Sequence, residues 1–133
     1  MTYEVRHTDD EWREMLTPDE FRVLRRAGTE PAFKNEYWDE HRPGTYRCRA
    51  CKNLLFDSDD KFDSGTGWPS FTKPVAPSAV ETHTDTTFGM KRTEVRCASC
   101  GSHLGHLFDD GPPPLGTRYC MNSLSLRFEP RSS

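Results

Sequence analysis

The sequence predicts a mainly β domain, entered through short N-terminal helices and held together by a bound metal. Three observations carry that expectation. Two T-x-x-E capping boxes stand near the N-terminus, the chain after Gly44 breaks into short runs separated by turn residues, and two C-x2-C pairs lie in a chain only 33% hydrophobic. A globular domain usually carries about 45–50% apolar residues counting glycine. So thin a core calls for a staple, and a metal or disulfides would serve. The length of 133 residues suits one domain, 1–133, with 1–28 as a helical N-terminal segment packed on the β body.

Thr8 and Glu11 form the first box, with Trp12, Met15 and Leu16 at helical spacing behind it. Thr17 and Glu20 form the second, with Pro18 at the first helical position and Phe21 and Leu24 following. Arg25 and Arg26 suit the negative end of that helix, and Gly28 is expected as its C-cap. Residues 29–44 sustain no period, yet Phe33, Tyr37 and Trp38 point to an ordered arm packing aromatics against the body. Strands are expected over 45–48, 53–56, 79–84, 92–97, 103–108 and 123–128, the last because Leu124, Leu126 and Phe128 alternate with polar residues. Residues 109–116, with three consecutive prolines, read as a surface loop leading into Arg118-Tyr119-Cys120.

The formal net charge is −3, and Lys and Arg are scattered among Asp and Glu, which argues against nucleic acid as a partner. No window reaches the roughly 18 apolar residues of a membrane span, and the first residues lack the apolar stretch of a secretory leader. A soluble cytoplasmic monomer is expected.

Five cysteines divide as four plus one. Cys48 with Cys51, and Cys97 with Cys100, let two turns present two thiolates each, enough to close a tetrahedral shell around Zn²⁺. Four thiolates leave no open position, so one structural zinc per chain is expected, contributing directly to folding. Two redox C-x-x-C pairs are the alternative, disfavoured without a thioredoxin-like βαβ pattern.

Cys120 is left over, and a lone cysteine is a small buried hydrophobe or a nucleophile according to its surroundings. If its strand pairs with the one carrying His103-Leu-Gly-His-Leu-Phe108, then Arg118 and a histidine lie beside the sulfur, lowering its pKa and supplying a proton. His103 and His106 are three apart, so on a flat strand they face opposite ways. Both reach one site only if Gly105 bulges the chain; otherwise one is a surface and the other a core histidine. Trp68, between Gly67 and Pro69, is either a fixed wall for a small apolar group or a core indole in a tight turn. A catalytic metal on His103 and His106 lacks a third ligand.

Taken in order, CxxC, SGTGWPSF, a second CxxC, HLGHLF, the DDGP loop and RYCMNS closely resemble the methionine-R-sulfoxide reductase (MsrB) family over about residues 13–128. The resemblance implies two small antiparallel sheets with N-terminal helices and a zinc held by four cysteines. It implies reduction of the R epimer of methionine sulfoxide, free or in oxidised proteins, as repair of oxidative damage, with thioredoxin as the usual reductant. By position, Cys120 matches the nucleophile and Trp68 the residue contacting the substrate methyl. His103 and His106 match the paired active-site histidines, Arg118 and Asn122 surround the sulfur, and Phe108 lines the pocket. Many members carry a resolving cysteine between the two glycines before WPSF; here that residue is Thr66. With the other four thiols assigned to zinc, an outside thiol is expected to close the cycle, whether thioredoxin, glutaredoxin or a small thiol. The competing reading is a zinc-stabilised β module that only binds a partner, and Cys120 separates the two.

Overall fold

The computed structural model describes residues 3–86 and 89–131, so residues 1–2, 87–88 and 132–133 of the expected 1–133 domain lie outside the described residues. Both helices start where their boxes put them. In α1 (Asp9–Met15) Glu11 N–H donates to Thr8 Oγ1 at 3.2 Å and Thr8 N–H to the Glu11 carboxylate at 2.8 Å. Thr17 and Glu20 repeat the exchange at 3.2 and 2.9 Å ahead of α2 (Pro18–Arg26). Such a cap stabilises a helix by about 1 kcal/mol.

The end of α2 departs from expectation, because Ala27 and not Gly28 adopts the left-handed conformation, at φ 53°. Gly28 serves close approach instead. Its N–H donates to the Arg22 carbonyl at 2.9 Å, and a Cβ there would sit 2.7 Å from the Arg22 guanidinium. In the arm that follows, Tyr37 is buried as expected, its hydroxyl accepting from Phe128 N–H at 3.1 Å. Phe33 is not: it stays 53% exposed, its ring edge-on to Trp38 and its N–H bonded to the Gly67 carbonyl at 2.9 Å.

Nine strands follow among the described residues: β1 (Gly44–Cys48), β2 (Leu54–Asp57), β3 (Lys61–Phe62), β4 (Ser70–Phe71), β5 (Val80–Asp85), β6 (Arg92–Cys97), β7 (His103–Phe108), β8 (Arg118–Met121) and β9 (Leu126–Pro130). They form two antiparallel sheets, a three-stranded one in the order β2-β1-β9 and a six-stranded one in the order β3-β4-β8-β7-β6-β5. The last strand starts later than the alternation implied, since Ser123–Ser125 is a turn of 3-10 helix. The buried Glu30 carboxylate accepts the N–H groups of Ser123 and Leu124 at 3.0 and 2.5 Å, which holds them out of the ladder. The sheets meet through aromatic side chains. Tyr46 of β1 packs on Phe71 of β4 at 5.0 Å between centroids, and Phe56 of β2 stacks on the same ring at 4.4 Å. Trp12 and Leu24 from the helices and Val95, Leu104 and Met121 from the larger sheet complete one continuous core. Among the described residues no helix is long and apolar enough to cross a membrane.

Candidate active site and metal centre

Register in the larger sheet assembles the site. Glu94 of β6 pairs with His106 of β7, His106 with Cys120 of β8, and Cys120 with Ser70 of β4. Residues directly opposite across antiparallel strands share a face, so these four side chains form one row. The bulge required by the histidine spacing is present. Val95 pairs with Gly105 but Arg96 with His103, leaving Leu104 as the extra residue on β7 and returning His103 to the face of His106. The two rings stand edge to face at 5.4 Å. Gly105 is needed beside the bulge, since a Cβ there would collide with the Cys120 carbonyl oxygen.

Asn122 secures this kink. The Leu104 carbonyl, displaced from the regular ladder, accepts from the Asn122 backbone N–H at 2.9 Å and from its side-chain amide at 3.3 Å. The Asn122 side-chain oxygen in turn accepts from Glu30 N–H at 3.2 Å, and the Glu30 carbonyl accepts from the Trp68 indole N–H at 2.9 Å. Glu30 therefore fixes the indole, the bulge clamp and the turn after β8 together.

Trp68, His106, Phe108, Cys120 and Asn122 line one cavity of about 110 Å³ together with Thr29 and Arg92. His103 stands behind His106 and does not line it. Arg118 lies over the Phe108 ring, 4.3 Å from its centroid, and makes a two-pronged ion pair with Asp110 at 2.8 and 3.1 Å. A larger groove of about 620 Å³ beside Val75, Leu115 and Tyr119 holds neither cysteine nor histidine along its walls.

Electrostatics at the sulfur differ from the sequence expectation. Burial pushes the Cys120 thiol above its ordinary pKa; the Arg118 charge and hydrogen bonds with Thr66, Arg118 and Ser70 pull it back without cancelling the rise. His106 moves the opposite way. Burial lowers its pKa, a bond to Asp85 at 2.9 Å raises it, and the charges of Arg92 and His103 leave the net shift downward. At neutral pH the resting pair is thiol and imidazole. Three carboxylates that position the site, Glu30, Asp85 and Glu94, escape a reading of the sequence alone. The polar alternation Arg92, Glu94, Arg96 on β6 and His83, Asp85 on β5 is the available signal, marking a sheet face that is not core.

The paired cysteines converge as their spacing proposed. All four Sγ atoms lie within 4.8 Å of one another, Cys48–Cys100 at 3.7 Å and Cys51–Cys97 at 3.6 Å. A tetrahedral thiolate shell with metal–sulfur bonds of about 2.3 Å has edges of about 3.8 Å, so the donor set fits a metal ion of that size. The sulfurs form no disulfide. Hydrogen bonds from Cys48, Cys51 and Cys97 hold the Cys100 thiol far below its ordinary range, while bonds to its neighbours drive Cys48 well up. Thiolates packed this closely repel one another, so all four ionise together only around a cation. Cys48 ends β1 and Cys97 ends β6, so the cluster joins the two sheets.

Comparison with known proteins agrees with this geometry. The SelR domain model matches residues 16–130. The chain is 56% identical over 126 residues to a protein named peptide methionine sulfoxide reductase MsrB from Agrobacterium fabrum, covering 95% of this chain and 93% of the relative. It is 59% identical over 124 residues to the protein of the same name from Thiobacillus denitrificans, covering 93% and 94%. Against that from Leptospira interrogans it is 50% identical over 129 residues, covering 97% and 98%. A cysteine-and-histidine cavity on a β sheet, a four-cysteine clasp between two sheets, and identity of this extent along nearly the whole length together place the chain in the SelR-domain family, that of the MsrB peptide methionine sulfoxide reductases.

Proposed function

We propose that the protein reduces methionine-R-sulfoxide, in oxidised proteins or free, with Cys120 as nucleophile and His106 as proton carrier. The observation that carries this reading is the cross-strand pairing of Cys120 with His106 inside the cavity walled by Trp68. The resting thiol and imidazole hold between them the one proton the chemistry needs. Passing it from Sγ to the ring gives a thiolate and an imidazolium, the first attacking the sulfoxide sulfur and the second protonating its oxygen. The oxygen ends on Cys120, so that Cys–SH and R₂S=O become Cys–SOH and R₂S: the substrate sulfur gains two electrons and the cysteine sulfur loses two. Trp68 and Phe108 offer an apolar wall to the S-methyl group while His106 takes the oxygen, a division that selects one epimer. Arg118 stabilises the thiolate, and Asn122 and His103 keep the bulge and the ring in place.

Regeneration falls to an outside thiol. Thr66 Oγ1 bonds to Ser64 Oγ at 2.7 Å where a resolving sulfur would otherwise stand. Attack by R′SH on the sulfenic acid gives a mixed disulfide and water, and a second thiol releases Cys120–SH and the disulfide. A thioredoxin-type dithiol, glutaredoxin or a small thiol meets this need. The four remaining cysteines, Cys48, Cys51, Cys97 and Cys100, would enclose one structural Zn²⁺, which when bound supplies a cross-link between the sheets. Five unpaired thiols fit the reducing cytoplasm.

The test combines Cys120→Ser with separate R and S epimers of a sulfoxide substrate and dithiothreitol as reductant. The parent should consume the R epimer only, and the variant neither, with metal content and melting unchanged. Mass spectrometry after one turnover without reductant should find Cys120 oxidised and no bridge within the chain. Activity surviving in Cys120→Ser, or a Cys120 disulfide to a C-x-x-C cysteine, would overturn the proposal.

A further inference from the structure

The polar row on the larger sheet extends past the groups the reaction uses. Glu94 stands opposite His106 in register, yet its carboxylate turns to the other histidine: Nδ1 of His103 lies 2.7 Å from one oxygen, and Arg96 Nε donates to the other at 2.8 Å. Both partners are buried, Glu94 to 8% and His103 to 4% exposure. Burial pushes the Glu94 pKa up, but the bonds and charges of His103 and Arg96 outweigh it and hold the group below its ordinary value as a carboxylate. A carboxylate only accepts, so the nitrogen facing it must carry a proton, and His103 is held with Nδ1–H. Its other nitrogen, Nε2, is buried without a hydrogen-bond partner among the described residues. His106 is tied the opposite way round, through Nε2 to Asp85. The two acids thus fix opposite nitrogens of two rings that touch edge to face.

A buried imidazole with one nitrogen unpaired needs an explanation beyond packing, because a buried polar group left without a partner is destabilising. The bulge at Leu104 brings His103 to this face, and among the described residues Glu94 is the hydrogen-bond partner that sets its ring plane and tautomer. We propose that Glu94 is a positioning residue for sulfoxide reduction: by fixing His103 through Nδ1–H it holds that ring edge-on against His106, and so keeps His106 aimed at the substrate oxygen. The inference rests on the reading of His106 as proton carrier. Glu94 touches no substrate, and acts through the two rings.

Glu94→Gln keeps the shape and removes the charge, while Glu94→Asp keeps the charge and shortens the reach. With the R-sulfoxide substrate and dithiothreitol, Glu94→Gln should lose about tenfold or more in kcat with KM within about twofold of the parent, and Glu94→Asp should recover part of the loss. Melting temperature and metal content serve as controls on folding. A second measurement needs no substitution: ¹⁵N-histidine NMR of the parent should find His103 protonated at Nδ1, and His106 protonated at Nε2. A parent-like kcat in Glu94→Gln, a loss confined to KM, or a neutral Nε2–H His103 in the parent would overturn the inference. An inactive parent would instead sink the proposed function, so the two failures are told apart.

Discussion

At Cys120 burial and the surrounding donors pull in opposite directions, and burial wins. The sequence placed Arg118 near the sulfur but carried no measure of how deeply β4 and β7 would enclose it, and that enclosure reverses the sign of the expected shift. The consequence is measurable. A raised pKa means little thiolate at neutral pH and a fraction that grows as pH rises. The rate of Cys120 carbamidomethylation, followed by peptide mass spectrometry, should therefore have its midpoint above the value of about 8.5 for an ordinary thiol. Arg118→Ala should move the midpoint higher still; a parent midpoint below that of an ordinary thiol would contradict the electrostatic account. The cysteines and histidines were legible because their chemistry is rare and their spacing specific. Glu94, Asp85 and Glu30 were not, since acidic residues are common and their partners lie 9, 21 and 93 residues away in sequence.

Among the elements, β7 carries the most information per residue. The sequence showed that His103 and His106 need an irregularity near Gly105, and the register supplies it at Leu104, one position earlier. Gly105 itself is reserved for close passage of β8. Gly105→Ala should therefore destabilise by about 1–3 kcal/mol or more, as expected for overpacking against backbone, and lower kcat further by parting His106 from Cys120. Denaturant melts and kinetics on the refolded variant would check both, and parent-like values in each would mean that the strands can separate without loss. Helix starts were legible because a capping box is a local device whose partners sit three residues apart. The late start of β9 was not, because the Glu30 carboxylate that removes Ser123 and Leu124 from the ladder comes from a distant arm. Phe33 failed for the opposite reason: an aromatic in an irregular arm carries no periodicity to say which way it points.

For the molecule as a whole, the four cysteines close β1 of one sheet and β6 of the other, so a metal there joins layers that otherwise meet through the aromatic core. Thiolate zinc sites bind with about 10–16 kcal/mol apparent free energy near neutral pH, against a net stability of about 5–15 kcal/mol for a typical domain. Stripping the metal with a strong chelator, or replacing Cys97 by Ser, should abolish the cooperative melt, as followed by calorimetry beside elemental analysis showing one zinc per chain in the parent. A parent-like melt in the stripped protein would assign the staple to the core alone. The β class and the four-cysteine cluster were legible from texture and spacing. The partition of nine strands into sheets of three and six was not, because β4 and β8 lie far apart in sequence and pair through only two residues each, too few to show a period. The larger sheet also shapes how the protein ages. Ser70, Cys120, His106 and Glu94 sit on four adjacent strands bonded to one another, so a shift of one strand disturbs the whole row. A worn preparation should then be a mixture of fully competent molecules and inert ones, with no population of half-strength survivors between them.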